Sequence, residues 1–333
     1  MRTFFAFMLA LLAALAPARA ASWKDPNFDE AFKTYELIVV AKITKAAPTE
    51  TQVEIVRVLA GEVKPGDAVT ILRAPAEAQL EAFPSPTVGS TRLIVARKHP
   101  QEAGKYAASS DTYWSFEVEA DRAFLPIRDP FTRAHVAVAD LEVLIRHLRG
   151  SDKAAAEAFA DEMAKRLATV PAQTDVVAEL ETQLFTLEVL HLTGSAKQFD
   201  AALPLLKSSH LQVRWSCARA LRTTGGEKAV APLLEALKTE KAPQVQTAIG
   251  YALVQLAPKT GREVLLQVIP TASSESLRLG RGLMPTVANT LPAPRAMLIA
   301  ALMKMDGQAG GVTELLAKAE EYWKSVAGGP EKK

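Results

Sequence analysis

Two kinds of apolar spacing divide this chain near residue 138. Before it, apolar side chains come in short, β-branched or aromatic runs bounded by turn residues: "ELIVVAKIT", "TQVEIVRVL", "DAVTILR", "TRLIVAR" and "YWSFEVEA". Runs of that length and composition predict strands. Between the second and third, "VKPGDA" supplies Pro65 and Gly66, the pair favoured at the centre of a type II turn. After residue 138 the period changes to that of a helix. Val213, Cys217, Ala220 and Leu221 fall at i, i+4, i+7 and i+8, one face of an amphipathic helix. Leu141, Leu144, Ile145 and Leu148 share a face in the same way.

The helical segments repeat. "FDAALPLLKSSHLQVRWSCARALRTTG" aligns with "AVAPLLEALKTEKAPQVQTAIGYALVQLA", Pro204 over Pro232 in the first helix of each. In the second helix Val213 stands over Val245, Cys217 over Ile249, Ala220 over Ala252 and Leu221 over Leu253. Upstream, "EVLHLTG" at 188–194 echoes "RALRTTG" at 219–225. A further step of the same length reaches "LRLGRGLM", with Leu277 and Arg278 over Val213 and Arg214. At least four degenerate copies are predicted from about Asp175 onward. Short paired helices cannot bury two apolar stripes alone, so neighbouring pairs must stack. Cys217, in the slot of Ile249, is packing material.

The "PLL…VR…A.AL" pattern over residues 175–290 resembles HEAT-type repeats, particularly the short bacterial variety of the phycobilisome lyases. The resemblance implies a curved scaffold for macromolecular contact, with the second helices lining the concave side, and does not imply lyase activity. In that family an Asp usually precedes the Val-Arg pair; His210 and Leu211 stand there, and Gln246 replaces the Arg in the next copy. Residues 33–127 are similar to small exported barrel domains of the OB or netrin-like shape. Netrin-like protease inhibitors use cysteines at the mature N-terminus, and this chain has none there.

The predicted architecture is α+β and multidomain: a small antiparallel β-barrel or sandwich over 21–128, a linker at 129–137, an all-α HEAT-like solenoid over 138–326 and a disordered tail at 327–333. The irregular stretch 73–90 reads as an ordinary long connection, with a binding loop projecting from the barrel as the alternative. The first 20 residues read as a secretory leader, with Arg2 before an apolar run and Ala18-Arg19-Ala20 before the cleavage point. The expected location is therefore outside the cytoplasm, periplasmic or secreted, with no stable membrane insertion after cleavage. Loss of Arg2 and Arg19 takes the 39 basic residues to 37, level with the 37 acidic ones. That balance argues against a nucleic-acid partner, which calls for a basic domain or stripe. One cysteine permits no internal disulfide, so stability must come from packed apolar surface.

Catalytic motifs are missing from the sequence. His99, His135, His147, His191 and His210 are scattered, without metal-ligand spacing, and no serine elbow or phosphate-binding loop is present. No catalytic residue, metal set or cofactor is assigned. One patch stands out: Trp215, Arg219 and Arg222 lie along one face of a second helix, and Tyr251 is the counterpart of Arg219 one copy on. These residue types are enriched at interface hot spots. The expected function is that of an exported, non-enzymatic adaptor gripping a protein partner. The alternative is an exported hydrolase with a polar site between the β-domain and the array.

Overall fold

The computed structural model describes residues 28–47, 49–72, 87–108, 115–126, 133–150, 152–272, 277–278, 290–291 and 294–327. A short helix, α1 (Phe28–Thr34), precedes eight strands: β1 (Leu37–Ala46), β2 (Glu50–Ala60), β3 (Ala68–Leu72), β4 (Thr91–Lys98), β5 (Lys105–Ala108), β6 (Ser115–Glu119), β7 (Arg122–Pro126) and β8 (Arg133–Ala137). Five of them form a closed barrel, in the order β1-β2-β3-β5-β4, with β1 bonding back to β4. Within it the β3–β5 pair is parallel and the others are antiparallel. The turn at Lys64–Asp67 is the predicted one: Asp67 N–H donates to the Lys64 carbonyl at 3.1 Å, and Gly66 has φ +89°.

The continuous apolar run of β1 has a simple cause. Leu37, Val39, Ala41 and Ile43 fill the barrel with Val53, Ile55, Ile71 and Ile94. Ile38 and Val40 face the other way, onto a second cluster with Leu93, Val95, Phe116 and Val136. A strand covered on both faces has no polar side to show.

That second cluster overturns the expected linker. Residues 133–137 are strand β8, paired along its length with β7, and β8 runs directly into α2 (Val138–Arg149). The β6–β7 turn that makes this possible is built from Ala120 and Asp121, at φ +46° and +59°, with Glu119 opposite Arg122. Turns of this hand usually carry Asn-Gly, because left-handed backbone costs a side chain about 1 kcal/mol. "EADR" gives no such signal. Residues 127–132 lie outside the described residues, as do the leader at 1–20, positions 73–86 of the irregular stretch and the tail from 328.

The outer face of the barrel and the helices therefore share one core, separate from the barrel interior and running from Phe32 and Leu93 through Leu141 and Met163 to Leu253 and Val264. Helix α2 packs on β2, β8 and α1, and its Arg149 donates to the carbonyls of Phe32, at 2.6 Å, and Tyr35, closing the end of α1. After it come α3 (Lys153–Ala168), capped by the Asp152 side chain, and α4 (Val177–Thr193). The next first helix is broken. A 3-10 turn at Ala196–Gln198 leads into α5 (Phe199–Ala202), and a second 3-10 stretch follows at Leu203–Lys207. Pro204 has no N–H for an i to i−4 bond, and here it falls mid-helix. Its counterpart Pro232 sits in the first turn of α7 (Val230–Thr239), where no such bond is needed, and α7 is regular.

The second helices α4, α6 (Leu211–Thr224), α8 (Pro243–Leu256) and α10 (Pro294–Met305) stack in sequence. Helix α9 (Pro258–Val268) packs against α8 and α10, and α11 (Val312–Ala327) closes the array on α10. Cys217 is fully buried, as is Ile249 in the next layer, and its thiol donates to the Ala202 carbonyl at 3.1 Å. The last predicted copy is out of register. Leu277–Arg278 is a short strand, β9, paired with β10 (Thr290–Leu291), so the second helix of that layer is α10.

Candidate functional site

The second-helix row carries the polar face singled out in the sequence. Equivalent residues of α4 and α6 meet there, as the "EVLHLTG" over "RALRTTG" alignment implies. Arg219 Nη1 donates to Glu188 Oε2 at 2.6 Å, and Nη2 lies 3.4 Å from Oε1. The guanidinium also sits over the Trp215 ring, 5.1 Å from its centroid. One turn further along, Arg222 Nη2 approaches His191 Nε2 at 3.3 Å. Thr223 donates its hydroxyl proton to the His191 carbonyl at 3.0 Å, so the 3.3 Å contact between its oxygen and Nδ1 requires a proton on that nitrogen. Nε2 is then the acceptor for Arg222.

Three of the four sequence-selected residues come together, in roles that differ from the expectation. Arg219 is 8% exposed, a buried ion-pair member and not a solvated cation. Trp215 and Arg222 are half-buried. Burial, and then repulsion from Arg219, push the Arg222 pKa down, with Glu188 opposing. Tyr251 belongs elsewhere: its hydroxyl donates to the Met297 carbonyl at 3.3 Å and its ring packs in the C-terminal cluster of α9–α11, where burial raises its pKa. Glu188 and His191 are the partners that the sequence reading missed. Their signal was the internal alignment itself, which sets Glu188 over Arg219 and His191 over Arg222.

A second polar group lies where barrel meets array. His135 of β8 contacts Glu181 of α4, Nδ1 to Oε1 at 2.7 Å, with the Glu181 side chain 11% exposed and that of His135 44%. The imidazole stacks on Phe124, centroid to centroid 4.5 Å, and the Arg133 guanidinium lies over the Phe124 ring, 5.4 Å from its centroid. Among the described residues no hydroxyl or thiol is hydrogen-bonded to His135 Nε2, and no three His, Cys, Asp or Glu side chains are grouped to hold a metal.

Residues 178–254, from α4 through α8, match the family model described as HEAT repeats. The C-terminal half thus contains a HEAT-like repeat region, joined to an N-terminal β-barrel. HEAT repeats generally mediate protein–protein interactions, and the family is typically non-enzymatic. No curated protein and no solved structure matches the chain.

Proposed function

We propose that this protein is an exported scaffold that captures a protein partner on the second-helix row of its HEAT-like region. The observation that carries the reading is the interlocked face of α4 and α6. Arg219 and Glu188 fix one rung, Arg222 and His191 the next, and Trp215 lies half-exposed beside them. A surface held this way is pre-organised, so a partner binds without the surface first having to order. No covalent step is involved. The leader at residues 1–20 supports export, and the described helices include none long and apolar enough to cross a membrane. Affinity purification from the native cell envelope, comparing the wild-type chain with Trp215→Ala, tests capture. A defined partner lost with Trp215→Ala supports the reading, and undiminished recovery removes this face. Export is tested by N-terminal sequencing of the isolated protein, which should begin at Ala21.

The hydrolase reading draws on the His135–Glu181 pair, in which a nearly buried carboxylate orients an accessible imidazole. It is tested by screening ester and amide substrates with wild type and His135→Ala. Turnover that disappears with the substitution would establish it; equal residual rates would end it.

A further inference from the structure

We propose that Arg222 is the anchor of the capture face and that it binds a carboxylate side chain presented by the protein partner. The inference rests on the scaffold reading and names the chemistry of what that face receives.

Five other arginines of the array define the contrast. Arg166 meets Asp140 and Glu162, Arg214 meets Glu240, Arg219 meets Glu188, Arg262 meets Asp306 and Arg295 meets Glu320. Arg222 has no carboxylate partner among the described residues. A guanidinium carries five N–H donors. Of those on Arg222, one is engaged, by a neutral imidazole nitrogen at 3.3 Å, and no described acceptor meets the others. The group is half-buried, and its charge is disfavoured by burial and by Arg219. A partly desolvated cation without a counter-charge is an unfavourable arrangement that an arriving carboxylate relieves, with bidentate geometry available. The acid whose charge acts on it, Glu188, is already paired with Arg219 and does not compete.

The surroundings favour protein over nucleic acid. A nucleic-acid strand is held by several cations in line, whereas here the neighbouring cation is neutralised by Glu188. Trp215, two turns back along the same face, offers flanking apolar contact of the kind that frames protein hot spots.

The test presents a displayed random-peptide library to the full chain as wild type, Arg222→Gln, Arg222→Lys and Lys228→Gln, the last an exposed cation outside the face. Single-stranded oligothymidylate is titrated in parallel. Wild type and Lys228→Gln should enrich peptides with Asp or Glu at a fixed position. Replacing that acid by its amide, or Arg222 by Gln, should weaken binding at least tenfold, and Arg222→Lys should recover only part of it because the forked geometry is lost. Enrichment without a fixed acid, enrichment unchanged in both Arg222 variants, or tighter Arg222-dependent binding of the oligonucleotide overturns the proposal. In the first two cases a scaffold face remains; if wild type enriches no peptide, the scaffold reading falls with it.

Discussion

Arg214 holds Glu240, in the turn that joins the two helices of the next layer, with two donors, Nε to Oε2 at 2.7 Å and Nη2 to Oε1 at 3.1 Å. Gln246 stands in the position of Arg214 one copy on, and it donates to the Glu240 carbonyl at 2.8 Å. The same carboxylate accepts from the N–H groups of Lys241 and Ala242. Two equivalent side chains of successive copies therefore converge on one residue. The Asp that usually serves this ladder is replaced by a glutamate placed between the helices.

The Glu240 side chain is 7% exposed, so removing its cation leaves a nearly buried charge unpaired. Arg214→Ala should cost about 3 kcal/mol, read as a shift in the urea midpoint. Burial pushes the Glu240 pKa up, but the Arg214 and backbone donors outweigh it and hold the value below the ordinary 4.5. A carboxylate depressed in the folded state stabilises above its unfolded pKa and ceases to as pH falls through its folded value. Wild type should thus lose stability on acidification below about pH 4.5 more steeply than Glu240→Gln.

Cys217 should be inert in the native protein. Its thiol is fully buried and desolvation raises its pKa far above the usual thiol range, so the reactive thiolate is suppressed. Iodoacetamide should leave the folded chain unmodified and alkylate it fully in denaturant, as read by mass spectrometry. Rapid native labelling would mean that α6 is not packed as described.

Arg219 and Trp215 should separate stability from binding. Arg219→Ala strands Glu188, 16% exposed, and should cost about 3 kcal/mol. Trp215→Ala removes a half-buried ring and should cost about 1–2 kcal/mol. Equal losses would contradict the assignment of Arg219 as a structural rung.

Barrel and array should unfold together. The cluster linking Val136 and Leu93 to Leu187 and Leu221 has no seam at the expected linker. Calorimetry should give one transition, and Val136→Ala should lower the melting of the barrel and helical signals alike. Two separated transitions would show independent domains.

Much of this was legible in the sequence. The period change marked strands and helices, and the echo of 188–194 in 219–225 marked successive copies; that the run at 37–41 is covered on both faces, and that Glu188 and His191 meet Arg219 and Arg222, came only with the structure. What was hidden depended on contacts without local signals. The hairpin β6–β7 turns on Ala120 and Asp121, without the glycine that such a turn usually carries, and Pro126 and Pro130 pointed toward a linker. Tyr251 looked like a neighbour of Arg219 because spacing fixes a helix face but not which layer claims it; α10, displaced by the β9–β10 insertion, took it. The sequence puts Arg219 in the partner-binding patch, because its own partner, Glu188, lies on another helix.

The most direct measurement is site-specific photo-crosslinking in the native cell, with a photoreactive residue at Thr223 on α6 or at Glu235 on α7, both exposed. Capture on the second-helix row gives a discrete protein adduct from position 223 and none from 235. An adduct from 235 alone, or none from 223, contradicts it.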